Sequence, residues 1–202
     1  MKLRAILLLA SMVLVGMLLS GVALAAKKGT PGPDRIIGNH KQNEFHGRTG
    51  NDYIDGKESR DWLYGDEDDD ELHGGKGNDL IFGGLGFDRG FGAKGVDWFS
   101  TDTEITHKRD GPTEDGLSDQ LNGGSGDDTF VTVDDNPDIV NCGPGNDRAW
   151  IDKASDEAQT PPEGDCERVV LCPDGQPEQC PGGAPPKPPP PPSQDRSSRF
   201  SL

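Results

Sequence analysis

From Gly29 onward the chain sets one apolar residue among polar ones at a fixed spacing of nine: Ile36, Phe45, Ile54, Leu63, Leu72, Ile81 and Phe99, with Gly90 in the remaining slot. A period of nine is neither the 3.6 of an amphipathic helix nor a plain strand alternation. Divided into nines, residues 29–100 give eight units without a gap: GTPGPDRII, GNHKQNEFH, GRTGNDYID, GKESRDWLY, GDEDDDELH, GGKGNDLIF, GGLGFDRGF and GAKGVDWFS. Position one is always Gly; position six is Asp in seven units and Asn43 in the other. Glycines suit turns that need positive φ. The pattern predicts six residues of turn and three of strand per unit, with the eighth residue pointing inward.

The pattern breaks in a polar insertion, 101–113, and resumes as EDGLSDQLN, GGSGDDTFV, VDDNPDIVN and CGPGNDRAW, with Thr132 as a one-residue slip. Position six is again Asp, at Asp119, Asp128, Asp138 and Asp147, and position eight holds Leu121, Phe130, Val140 and Ala149. A unit that buries one side chain must stack on others to form a core. Two units of nine complete one turn of a coil, so the expected fold is all-β, a parallel β-roll with coils about 4.8 Å apart.

Such stacking also piles up carboxylates. Asp34, Asp52, Asp70 and Asp88 fall on one edge; Asn43, Asp61, Asp79 and Asp97 fall on the other. Two carboxylates about 5 Å apart repel by about 3 kcal/mol at an effective dielectric near 20. With 31% apolar residues in 202, the chain has no ordinary core to absorb that cost. A hard divalent cation between turns reverses the sign of the interaction. Ca²⁺ accepts six to eight oxygens in flexible geometry, whereas Mg²⁺ demands a strict octahedron. Zn²⁺ prefers His and Cys, which do not recur in the repeats. The net charge of −16 argues against nucleic acid and anionic membranes as partners.

These units resemble the hemolysin-type calcium-binding repeat, the RTX nonapeptide GGxGxDxUx, over residues 29–150. The resemblance implies several Ca²⁺ ions held by turn carbonyls and by Asp34, Asp52, Asp61, Asp70, Asp79, Asp88, Asp97, Asp119, Asp128, Asp138 and Asp147. The stretch from Cys142 to Val170 resembles the closing segment of secreted bacterial calcium-binding repeat proteins. Lys41, Ser59 and Asp68 replace the fourth-position glycine, so those turns are expected to be distorted. Asn43 removes a charge, and Gly90 is expected to leave a gap in the apolar row.

The flanks complete the organisation. Residues 1–26 read as a secretory signal: Lys2 and Arg4, an apolar run, then Ala23-Leu24-Ala25 before Lys27 and Lys28. Losing Lys2 and Arg4 takes the net charge from −16 to −18. The reading is therefore signal peptide 1–26, β-roll 27–100, insertion 101–113, further repeats 114–150, a disulfide-closed cap 151–180 and a proline-rich disordered tail 181–202. The chain is expected to be extracellular, with no membrane insertion after signal cleavage. Cys142, Cys166, Cys172 and Cys180 permit three pairings; Cys142–Cys166 with Cys172–Cys180 gives two local loops and is favoured.

His40, His46, His73 and His107 recur in no ligand pattern, and no nucleophile motif or phosphate loop is present. The period explains the carboxylates better than glycosidase chemistry does. The expected function is non-catalytic calcium binding; the alternative is an accessory or surface-recognition module of an extracellular hydrolase or toxin system. Period-two alternation places Trp62, Leu80 and Trp98 in one outward column and Tyr64 and Phe82 in a second. This face is expected to be covered by a later segment of the chain, a second copy or a ligand.

Overall fold

The computed structural model describes residues 27–101, 118–133, 137–152, 166, 168–172, 180–182, 185 and 187–191. The signal peptide, almost all of the insertion and most of residues 153–179 lie outside the described residues. Among those described there is no helix. Fourteen strands form two parallel sheets that face each other across one row of side chains.

The eight-stranded sheet runs β1 (Lys27–Lys28), β3 (Glu44–Thr49), β5 (Trp62–Glu67), β7 (Leu80–Leu85), β9 (Trp98–Ser100), β11 (Thr129–Thr132), β13 (Arg148–Asp152), β14 (Arg168–Cys172). The six-stranded sheet runs β2 (Arg35–Asn39), β4 (Tyr53–Glu58), β6 (Glu71–Lys76), β8 (Arg89–Lys94), β10 (Gln120–Ser125), β12 (Ile139–Asn141). Neighbours in a sheet are alternate strands in sequence, so each coil spends one unit on each sheet, as the eighteen-residue turn requires. Register is fixed by the repeat: Leu63 pairs Ile81, Ile81 pairs Phe99, and Ile54 pairs Leu72. The strands are longer than expected. They begin at position seven and mostly run on to position three of the next unit, as in Tyr53–Glu58.

The eighth-position residues form the continuous core expected of them: Ile36, Phe45, Ile54, Leu63, Leu72, Ile81, Phe99, Leu121, Phe130 and Ala149, with Val140 packed against them. No gap opens at Gly90, contrary to expectation. A Cβ there would come within 3.2 Å of Phe99 and 3.1 Å of Leu121, so neighbouring side chains already fill the space. The thirteen-residue insertion does not disturb the stack. Gln120 pairs Arg89 and Thr129 pairs Trp98 across it, and Thr132 is absorbed in the same way, since Arg148 pairs Thr129.

The turns at Lys41, Ser59 and Asp68 differ from the glycine turns, as expected. Lys41 is not among the positive-φ residues, and Ser59 and Asp68 adopt the left-handed conformation at φ 76° and 74°, whereas the fourth-position glycines Gly77, Gly86, Gly95 and Gly126 lie at φ 137–155°. Outside glycine this geometry costs about 1 kcal/mol per residue, and each side chain offsets part of it. Ser59 Oγ donates to the His40 carbonyl at 3.0 Å, and Asp68 Oδ2 accepts from the Gly50 N–H at 2.7 Å. The disulfides are Cys142–Cys166 and Cys172–Cys180, the favoured local pairing. The first ties the last coil to the segment leading into β14.

Candidate metal centres

Position six ends each turn just before the strand begins, so eighteen-residue stacking puts its side chains in two columns. Asp34, Asp52, Asp70, Asp88, Asp119 and Asp138 form one; Asn43, Asp61, Asp79, Asp97, Asp128 and Asp147 form the other. In both columns the backbone N–H of each residue donates to Oδ1 of the aspartate one coil further on, at 2.7–2.9 Å in all ten steps. Each carboxylate is thereby clamped in one rotamer across the coil interface.

The second oxygen is not so provided for. Oδ2 of Asp52, Asp61, Asp70, Asp79, Asp97 and Asp128 is buried and accepts no hydrogen bond. It lies over the first-position glycine of its own unit. A Cβ on Gly47, Gly56, Gly65, Gly92 or Gly123 would overlap Oδ2 of Asp52, Asp61, Asp70, Asp97 or Asp128, respectively. The same Cβ would meet the first-position carbonyl of the next coil, from Gly65, Gly74, Gly83, Gly123 or Cys142. Those five glycines are absent from the positive-φ positions, so position one is glycine for space. Each supplies a cradle in which a carboxylate oxygen of one coil and a carbonyl oxygen of the next converge with no donor between them.

The N-terminal ends of the two columns differ. Asp34 is half-exposed, and its Oδ2 accepts from the Thr30 N–H at 2.5 Å and the Thr30 hydroxyl at 2.9 Å, which hold its pKa below the ordinary value. Asn43 fills its own cradle: Nδ2 donates to the Lys41 carbonyl at 2.5 Å and to Asp61 Oδ1 at 2.8 Å, and approaches the Gly56 carbonyl at 3.5 Å. An amide N–H₂ thus occupies the spot where the other units place an oxygen. It shows that the surroundings, all oxygen acceptors, are satisfied by a donor. In the inner units, burial outweighs the N–H donated to Oδ1 and pushes the carboxyls up from 3.8: Asp70 and Asp97 to about 8, Asp79 to about 7, Asp61 and Asp128 to about 6. Burial is the largest cause throughout, and neighbouring carboxylates add to it.

All eleven aspartates expected as ligands therefore stand in the two columns, but as ladders and not as clusters. Among the described residues no group of three or more His, Cys, Asp or Glu side chains comes close enough to hold a metal ion. A cation here would have to draw on main-chain oxygens as well as these carboxylates, a donor set that would suit Ca²⁺ better than softer metals. Two features escaped the sequence reading. One is the spatial role of the first glycine. The other is a fifth-position ladder, in which Asp69, Asn78 and Asp127 accept the N–H of Phe87, Val96 and Asn146 one coil on, at 3.0–3.1 Å.

Glycine-lined oxygen cradles repeated along a stack of parallel coils define the class of the fold, a parallel β-roll. The chain carries RTX calcium-binding nonapeptide repeats: the model of that repeat, in four copies, matches residues 28–59, 55–90 and 118–139. The unit at 142–150 lies outside the match yet repeats its geometry, with Asp147 Oδ1 accepting from the Asp128 N–H. No curated protein and no solved structure matched the chain.

The cradle predicts a sharp contrast between two glycines. Gly65→Ala should destabilise the roll by about 1–3 kcal/mol, the range for overpacking, because its Cβ would overlap both Asp70 Oδ2 and the Gly83 carbonyl. Gly32→Ala should be neutral within about 0.5 kcal/mol, since nothing lies within 4 Å of a Cβ there. Urea unfolding of both variants in saturating Ca²⁺ measures the difference; equal midpoints would refute the spatial role of position one.

Proposed function

We propose that the chain is an exported, non-catalytic calcium-binding repeat protein whose ions lie between stacked turns. The supporting observation is the buried Oδ2 of Asp52, Asp61, Asp70, Asp97 and Asp128, each carboxylate clamped through Oδ1 and facing a carbonyl of the next coil without a donor. The residues that would hold Ca²⁺ are Asp52, Asp61, Asp70, Asp79, Asp88, Asp97, Asp119, Asp128, Asp138 and Asp147, with turn carbonyls of the adjoining coil. Asp34, already engaged by Thr30, would contribute least. Bound Ca²⁺ would supply the positive charge that the columns lack. Two disulfides in so small a fold suit an oxidising compartment, which agrees with reading residues 1–26 as a secretion signal.

Calcium titration calorimetry on two column variants tests this. Asp79→Ala should weaken binding at the ions above and below it by about tenfold or more, that is about 1.4 kcal/mol or more, or remove them from the stoichiometry. Asn43→Ala should change calcium binding by less than about twofold, because its cradle is already filled by an amide. Losses of equal size in the two variants, or a larger one for Asn43→Ala, would overturn the assignment.

A further inference from the structure

The outer face of the eight-stranded sheet carries two columns set by register: Trp62, Leu80 and Trp98, and beside them Tyr64 and Phe82. Tyr64 and Phe82 stack with ring centroids 4.8 Å apart. These side chains form a cluster separate from the core, on the outside as alternation requires. Yet Trp62, Leu80 and Phe82 are only 4%, 2% and 4% exposed. The chain's own tail reaches this face: Trp62 Nε1 donates to the Pro189 carbonyl at 3.4 Å, and Pro185 and Pro191 on either side of it are buried. The disorder expected of the tail does not extend to this segment.

Reach and spacing both suit a polyproline helix. Cys180 is buried in an apolar cluster with Trp150 of β13. Four strand steps separate β13 from β5, about 19 Å at ~4.8 Å per step. The chain turns at Pro181–Gly182, and the seven residues from there to Pro189 are enough to span about 22 Å at ~3.1 Å each, the rise of polyproline II. The Cys172–Cys180 disulfide therefore launches the tail from a point that lets it run back along the roll. Trp62 and Trp98 are two coils apart, about 9.6 Å. A polyproline helix repeats every three residues, about 9.3 Å, so its carbonyls on one side match the two indoles in step. Trp98 Nε1 is buried and has no hydrogen-bond partner; it is a second donor on the same line, available to a carbonyl one turn from the first. Proline rings resting on flat aromatic faces, with indole N–H groups taking main-chain carbonyls, is the physics by which extended proline-rich segments are recognised.

We propose that this face is a polyproline-binding site, that segment 187–191 is its resident ligand, and that a proline-rich segment of another polypeptide binds there by displacing the tail. The site is independent of the cation cradles, which lie at the turns.

The test uses the ¹⁵N-labelled full chain in saturating Ca²⁺, with the indole N–H signals assigned by Trp62→Phe and Trp98→Phe. Changing Pro188, Pro189, Pro190 and Pro191 together to Gly should shift the Trp62 indole signal. A synthetic peptide of residues 183–195 should return it saturably in that variant, and bind the unaltered chain at least tenfold more weakly. The same peptide with the four glycines should not bind. Circular dichroism of the glycine variant reads the roll separately and should match the parent. An unmoved Trp62 signal in the glycine variant, or no response to the peptide at millimolar concentration, would overturn the proposal.

Discussion

At pH 8 a chelator should strip the roll of its β structure, and lowering the pH to about 5.5 in the same chelator should bring much of it back. The sign follows from the inner aspartates. Buried with no donor on Oδ2, Asp70 and Asp97 sit near 8, Asp79 near 7, and Asp61 and Asp128 near 6, against 3.8 in an exposed chain. A carboxyl whose folded pKa is raised stabilises the fold fully below its unfolded value and loses that contribution as pH climbs through the folded one. For these five groups the loss runs from about pH 4 to about pH 8, at about 1.4 kcal/mol for each pH unit that separates the folded from the unfolded pKa. Five such groups in two columns make the ionised, metal-free roll costly against the stability of an ordinary domain, about 5–15 kcal/mol. Ca²⁺ removes the penalty by replacing the missing protons, so binding should release protons and its midpoint should move to higher concentration between pH 8 and pH 6. Far-ultraviolet circular dichroism across pH, with and without Ca²⁺, measures all of this. Unchanged β content in chelator at pH 8, or a metal-free chain less folded at pH 5.5 than at pH 8, would sink the account.

What was legible in the sequence is whatever an eighteen-residue coil forces into a column. The inward row from Ile36 to Ala149, the two aspartate edges and the outward line of Trp62, Leu80 and Trp98 all follow from counting, because a parallel stack keeps one register along its length. The insertion left the columns intact because extra residues can leave the coil between strands without altering the pairing; the one-residue slip also preserves the register, with Thr132 itself held in β11 opposite Ile151. What counting could not reach depends on the third dimension within a unit. Gly47 and Gly65 look like turn glycines, yet they are small so that a carboxylate can lie over them. Asn43 looks like a lost charge, yet its amide closes a cradle that elsewhere lacks a donor. Ser59 and Asp68 look like broken turns, and their φ does differ from that of Gly77 and Gly86, yet hydrogen bonds to the neighbouring coil hold both in a left-handed turn that keeps the register. The tail's position was least legible, since no period links Pro189 to Trp62, 127 residues away.

Phe99→Ala should be among the most damaging single substitutions in the roll, costing about 3–5 kcal/mol. Phe99 is fully buried, stacked on Phe130 with centroids 4.8 Å apart and planes 7° from parallel. It also reaches across the interior to the place where Gly90 presents no side chain. Truncation would therefore open a void with one bare wall, and the backbone of both sheets is pinned by the ladders, so the walls cannot close on it. Gly90→Ala errs in the other direction. Its Cβ would press on Phe99 at 3.2 Å and Leu121 at 3.1 Å, and should cost about 1–3 kcal/mol. The two positions share one space, so they should couple. Gly90→Ala combined with Phe99→Leu should be less harmful than the sum of the two single changes by about 1 kcal/mol or more. Urea unfolding of the parent, the two single variants and the double variant in saturating Ca²⁺ gives the cycle directly, with Phe99→Ala measured beside them. Strict additivity, or a Phe99→Ala cost below about 1 kcal/mol, would show that the interior is not filled by this exchange of bulk between facing units.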